Sequence, residues 1–185
     1  MRSVTKIIGR VFPFSASIPK HILENARQRG VQVHEWIEAF NKWKREGGIK
    51  PTINLEYQIY ADYYEDWFEE YDVEPIEEEL KLSVEEDGFD YGLVGVIDML
   101  CKTKDDDLAL VSFKLTHSVN IPYCELQESA YNYLLLENEV IDHEVPAKVL
   151  HIGKQGYNYI NLESQLDRFN ELRRLDAYLL SKGVK

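Results

Sequence analysis

Two long apolar runs near the middle of the chain, "YGLVGVIDMLCKT" and "DLALVSFKLT", constrain the fold more than any other feature. Runs of this kind form central strands of a sheet that is covered on both faces. The acidic "KDDD" between them, Lys104 to Asp107, reads as the connecting turn. Each run contains one ionisable interruption, Asp98 in the first and Lys114 in the second. An unpaired charge in such a strand is costly to bury. Asp98 is therefore expected at a strand end, beside a cation or on a metal, and Lys114 poses the same problem. Neighbouring strands bring the two into one shared site, with a structural ion pair at the sheet edge as the plainer alternative. Ser112 stands two residues before Lys114, so their side chains share a face.

The segments on either side supply the rest of the architecture. "FPFSASIP" breaks the pattern with two prolines, and "PKHILENARQRGVQVHEWIEAFNKWKREGG" then reads as helical. Val33, Trp36, Ile37, Phe40 and Trp43 recur there at helical spacing. Gly30 is read as dividing this stretch into two helices, and Gly47–Gly48 as ending the second. "PTINLEYQIYADYYEDWFEEY" is expected to be a helix opening at Pro51. "PIEEELKLSV" alternates, with Leu80, Leu82 and Val84 on one face. "IPYCELQESAYNYLLLENEV" returns to helical spacing, "AKVLHIGKQGYNYINLE" is a hairpin turning at Gln155–Gly156, and the C-terminal stretch is an amphipathic helix. The order is helices, three strands, helix, two strands, helix. It specifies an α/β fold, a mixed central β-sheet flanked by helices, with residues 1–185 as a single domain.

Two cysteines, Cys101 and Cys124, are too few for a disulfide framework or a cysteine-only metal cluster and fit buried thiols in a reducing cytoplasm. No apolar run is long enough to span a bilayer, and the N-terminus lacks the apolar stretch of a secretory signal. A cytoplasmic protein without a membrane partner is expected. The net charge of −12 is carried by residues 65–90, which hold 13 acids and one base. A solvated acidic face is the plain interpretation, and one that repels nucleic acid would favour docking on another side. Electrostatics alone neither supports nor excludes a DNA substrate.

Gln127 and Tyr131, four apart on one helix, share a face. A pair like this usually makes hydrogen bonds in a core, and a lone His34 among apolar neighbours is usually a satisfied core residue. Their order along the chain adds information. "ARQRGVQVHEWIE", "EELKLS", "GVIDML", "VSFKLT" and "QESAY" follow one another as in RecB-like nucleases, with a glycine–histidine helix, Gly-x-x-Asp, x-x-Lys and Gln-x-x-x-Tyr. Over residues 20–137 the chain resembles the PD-(D/E)XK nuclease superfamily, in its RecB-like and phage-type exonuclease branch. The resemblance implies a deoxyribonuclease, an exonuclease acting on DNA ends in recombination or repair, with a phage origin as part of the same expectation. His34 would ligate or approach a divalent metal, Asp98 would be its central ligand, and Glu79 would be an upstream carboxylate, with Glu77 and Glu78 competing for that alignment. Lys114 would orient water or offset phosphate charge, and Gln127 and Tyr131 would hold the site and the DNA backbone. The implied cofactor is Mg²⁺ or Mn²⁺, which oxygen ligands suit. The iron–sulfur cluster of one branch needs four cysteines and is not expected. DNA is the implied partner, with a homo-oligomer or a recombination protein as further candidates.

Ser112 departs from the pattern, which places an acid there. A serine hydroxyl is a much poorer ligand for magnesium. The acid has then migrated to the next helix, where Glu128 adjoins Gln127 and Glu125 is a second candidate. Otherwise the site works through His34 and Asp98 alone, or the fold no longer cuts and serves as a DNA- or protein-binding module. A solvent-facing Glu128 is the plain alternative to migration.

Overall fold

The computed structural model describes residues 1–13, 19–85 and 91–184. Residues 14–18 of "FPFSASIP" and 86–90 of the acidic segment lie outside the described residues. The chain begins with a short strand β1 (Arg2–Ser3) and helix α1 (Val4–Ile8), which periodicity did not reveal because both are so short. Ser3 caps α1 by accepting the Lys6 N–H at 3.3 Å.

Helix α2 (Lys20–Glu46) runs without a break through Gly30, contrary to the expected division. A helical glycine is unfavourable by about 1 kcal/mol against alanine, too little to break a long helix. The stripe Val33, Trp36, Ile37 and Phe40 is buried and holds the helix to the sheet. Gly47 ends it in a positive-φ conformation (φ 76°), with its N–H on the Trp43 carbonyl at 2.8 Å. The next helix opens later than Pro51. Asn54 caps a 3₁₀ turn (Leu55–Tyr57) by accepting the Glu56 N–H at 3.1 Å, and α3 (Gln58–Glu70) continues from it. The side-chain cap at Asn54, not the proline, sets the start.

Strands β2 (Glu74–Val84), β3 (Leu93–Lys102) and β4 (Ala109–Lys114) follow, then α4 (Ile121–Glu137), β5 (Ala147–Ile152), β6 (Tyr157–Asn161) and α5 (Leu166–Ser181). The six strands form one mixed sheet in the order β1-β3-β4-β5-β6, with β2 on the other edge of β3. β3–β4, β2–β3 and β5–β6 are antiparallel, and β4–β5 and β1–β3 are parallel. Helices α2 and α3 pack one face through Met99, Val111 and Phe113. Helices α1, α4 and α5 pack the other through Ile97, Leu100 and Leu110. The expected mixed sheet flanked by helices is thus the observed fold.

The two apolar strands differ in one respect from expectation. β4 is buried on both faces up to Phe113, whereas the first half of β3 alternates, with Val96 exposed. β2 is its partner there and forms an edge lined with charge, which guards an open strand against further pairing.

Candidate active site

The site forms where two paired strands change facing at the same level. Leu80, Leu82 and Val84 pack toward the α4 side, as expected from their spacing. Period-two alternation would send Glu78 the same way. Instead its carboxylate takes a 2.6 Å hydrogen bond from the Asn41 amide and pairs with Arg45, both on α2. Between them Glu79 has φ 46°, left-handed and uncommon for a residue with a side chain. In β3 the opposing stretch breaks phase too, with Ile97 and Leu100 on the α4 side and Met99 on the α2 side. The register pairs Glu78 with Met99 and Leu80 with Ile97, which leaves Glu79 opposite Asp98. The ambiguity among three consecutive glutamates is thereby resolved: Glu78 is held by α2, Glu77 is exposed, and Glu79 turns to Asp98.

His34 completes the group from α2. Its Nδ1 lies 3.4 Å from Glu79 Oε1, and its ring packs edge-on against Phe113 at 5.6 Å. One donor atom each from His34, Glu79 and Asp98 lies within 4.8 Å of the others. Ligands on opposite sides of a Mg²⁺ ion are about 4.2 Å apart. Small side-chain rotations therefore suffice to close this set on one cation. Burial pulls the His34 pKa down, but the Glu79 hydrogen bond and the Asp98 charge outweigh it, and the net shift is upward.

Asp98 is half-buried six residues into β3, not at a strand end. Pairing of β3 with β4 is confined to Met99–Cys101. Beyond it the Asp98 carboxylate takes the Phe113 N–H at 2.8 Å, so a side chain replaces the next ladder bond. The opening of the two strands is what admits a carboxylate between them. Sequence patterning carries no sign of this backbone donor.

Lys114 stands at the end of β4. Its Nζ donates to Gln127 Oε1 at 3.1 Å, and Gln127 Nε2 donates to the Tyr131 hydroxyl at 3.0 Å. No direct ion pair of Lys114 occurs among the described residues; Asp98 and Glu128 act on it through space. Burial lowers its pKa, those two carboxylates raise it, and the result is an ammonium held above its ordinary value. The approach of α4 to β3 explains the glycine three residues before Asp98. A Cβ on Gly95 would lie 2.7 Å from Tyr131 Cε1 and 2.9 Å from Leu134 Cδ1.

Ser112 and Glu128 meet inside the protein. Ser112 Oγ donates to Glu128 Oε1 at 2.5 Å, and the residues are 1% and 0% exposed. The solvent-facing alternative for Glu128 is overturned, because α4 is covered on every side from Leu126 to Asn132. Burial pushes the Glu128 carboxyl up to about 8, while Lys114 and the Ser112 hydroxyl pull the other way. Its Oε2 has no hydrogen-bond partner among the described residues. Glu128 is not a member of the His34–Glu79–Asp98 group; it stands behind it, where the side chain at position 112 points. Glu125 lies on another side of α4, lining a groove with Phe12 and Leu175.

No family model and no curated protein matches the sequence. Solved structures that share the fold include the crystal structure of SSO0001, at 12% identity and a TM-score of 0.52 over 97% of this chain and 75% of that one. Another is a "Putative exonuclease" from Eubacterium rectale, at 9% identity and a TM-score of 0.54 over 96% of this chain and 74% of that one. At such identities the likeness is one of fold. Among the described residues no helix is long and apolar enough to cross a membrane.

Proposed function

We propose that this chain is a metal-dependent deoxyribonuclease that degrades DNA from its ends, in recombination or repair. The observation that carries the proposal is the convergence of His34, Glu79 and Asp98 within 4.8 Å, with the half-buried Lys114 at the end of the neighbouring strand. The mixed nitrogen and oxygen donor set suits Mn²⁺ and is compatible with Mg²⁺. The orphaned Oε2 of Glu128 is a further oxygen in want of a partner. When bound, such a cation supplies Lewis-acid stabilisation of phosphate charge and activation of water. Lys114, fixed by Gln127 and Tyr131, places a permanent positive charge where charge develops on the phosphate. Glu79 and His34 orient each other, and the Phe113 N–H fixes the Asp98 carboxylate. Glu128 supplies the carboxyl that Ser112 lacks, and the Ser112 hydroxyl orients it.

The test is digestion of linear and circular DNA with Mg²⁺ or Mn²⁺. Degradation of the linear form alone is expected, with a loss of about a thousandfold or more in Asp98→Asn and in Glu128→Gln. A second reading, a nuclease fold that binds without cutting, draws on the closure of Glu128 from solvent. Intact linear DNA after incubation of the wild-type protein with either ion decides for that second reading.

A further inference from the structure

The row of residues that crosses the sheet at the site continues past it. Lys114 pairs with His151 on β5, and His151 with Asn158 on β6. Strands in a sheet are about 4.8 Å apart, so His151 stands one strand beyond Lys114 and Asn158 two. A groove of about 550 Å³ opens there, between the α2–α3 layer and the β5–β6 turn, and Leu115, Thr116 and His117 lead into it directly from Lys114.

Its chemistry is distinct. Arg29, His117, His151 and Lys154 line it, and among the described residues no Asp or Glu does. That wall belongs to a chain with 33 acids and a net charge of −12. Arg29 is fixed in place: it lies over the Tyr60 ring at 5.5 Å and donates to the Leu115 carbonyl at 2.7 Å, while its Nε has no hydrogen-bond partner among the described residues. His151 Nε2 lies 2.7 Å from the Thr116 carbonyl oxygen, which ties β5 to the segment after β4. The half-buried Tyr157 ring adds an aromatic surface, and its hydroxyl, donating to Glu70, marks the outer end. A run of cationic and hydrogen-bonding side chains with aromatic rings is how proteins hold an unpaired strand. Its volume is in the range of small-ligand pockets.

We infer that this groove holds a single polynucleotide strand, and that it leads that strand along β5 and β6 to the phosphate facing Lys114. The inference rests on the proposed nuclease function and adds to it the form of the nucleic acid and the side from which it comes. DNA ends would enter melted, with the complementary strand kept outside the groove.

The test is anisotropy of a fluorescein-labelled oligothymidylate of about twelve nucleotides, measured with the full chain in EDTA so that nothing is cleaved. The variant Lys154→Glu changes an exposed side chain of the β5–β6 turn and leaves the core alone. It is expected to weaken binding about tenfold or more and to flatten the salt dependence. Lys42→Glu, about 20 Å further along α2 from Arg29, controls for net charge and should change affinity less than about twofold. A duplex of the same length should bind more weakly than the single strand. Equal losses in the two variants, no loss in the groove variant, or a preference for duplex overturns the inference. Mn²⁺ titration of wild type and groove variant, followed by calorimetry, separates the two proposals. Absent Mn²⁺ binding with groove-dependent strand binding sinks the metal nuclease and keeps the groove. Normal Mn²⁺ binding with groove-independent strand binding does the reverse.

Discussion

The Ser112 hydroxyl on β4 meets the Glu128 carboxyl on α4 at 2.5 Å, and both residues are closed to solvent. A neutral side chain on the strand thus meets an acid that reaches it from the helix. This arrangement ties the charge state of Glu128 to folding as well as to any chemistry.

In the metal-free protein Glu128 titrates near 8, against an ordinary value of 4.5. A carboxyl raised on folding stabilises fully below its unfolded pKa and loses that contribution as pH rises through the folded one. The wild-type protein in EDTA is expected to lose on the order of a few kcal/mol between about pH 5 and 8.5 from this group. Glu128→Gln keeps the shape and cannot ionise, so its stability should be flat over that window. Thermal melts across the range check this, and parallel curves for the two proteins would refute it. Ser112→Ala removes a hydrogen bond that holds the pKa down, so its stability should begin falling at the same pH as the wild type's and go on falling to higher pH.

The N-terminal residues are tied to α5 by a second buried acid. Asp176 is 0% exposed and takes bonds from Arg10 at 2.7 Å and Arg2 at 2.8 Å. Burial alone would raise its pKa, but Arg10, Arg2 and Tyr91 bring the net shift below the ordinary value of 3.8. A depressed carboxylate stabilises above its unfolded pKa and loses that contribution as pH falls through the folded one. Asp176→Asn is therefore expected to cost roughly 3 kcal/mol at pH 7 and progressively less below about pH 4. Denaturant melts at pH 7 and pH 3 give the comparison, and an equal loss at both would show the carboxylate charge to be irrelevant.

Gly95 and Gly30 illustrate two different uses of glycine. Gly95 has the Tyr131 ring where its Cβ would stand, whereas a Cβ on Gly30 would meet nothing within 4 Å. Gly95→Ala should cost about 1 to 3 kcal/mol by overpacking and displace the Tyr131 that holds Gln127 and Lys114. Gly30→Ala should gain about 0.5 to 1 kcal/mol, since it adds helix propensity without a clash. Chemical denaturation of both measures the contrast, and destabilisation by Gly30→Ala would mean that the open space beside it is needed.

Much of this organisation was legible in the sequence because it follows from periodicity. The stripe Val33 to Phe40, the alternation of Leu80, Leu82 and Val84, and the four-residue step from Gln127 to Tyr131 all reappear as expected contacts. The convergence of His34, Glu79 and Asp98 was expected from motif order, not from pattern. What could not be read was whatever breaks a period. The left-handed turn at Glu79 sends Glu78 to Asn41, and a hydrophobicity pattern cannot register a single dihedral angle. The burial of Glu128 depends on helices packed around α4 from both ends of the chain, so local sequence gives a charged helical residue and nothing more. The continuity of α2 through Gly30 likewise reflects tertiary packing overriding a weak local preference.

The backbone at Glu79 links stability and metal binding in a way that one substitution separates. A residue with a Cβ at φ 46° is held about 1 to 2 kcal/mol above its relaxed state. Glycine adopts that conformation freely, so Glu79→Gly relieves the strain while it removes one of the three grouped donors. Lys81→Gly is the control, since Lys81 is an exposed residue of the same strand in regular register with Val96. A glycine there should cost about 0.5 to 1 kcal/mol. Without metal, Glu79→Gly is expected to be about 1 to 2 kcal/mol more stable than Lys81→Gly. With Mn²⁺ at a hundred times its dissociation constant, a competent site adds about 2.7 kcal/mol. Lys81→Gly should gain that increment, and Glu79→Gly should gain little of it. The two variants therefore exchange rank when metal is added. Denaturant melts in EDTA and in Mn²⁺ read the exchange directly, and the same Mn²⁺ increment in both would exclude Glu79 from the metal site.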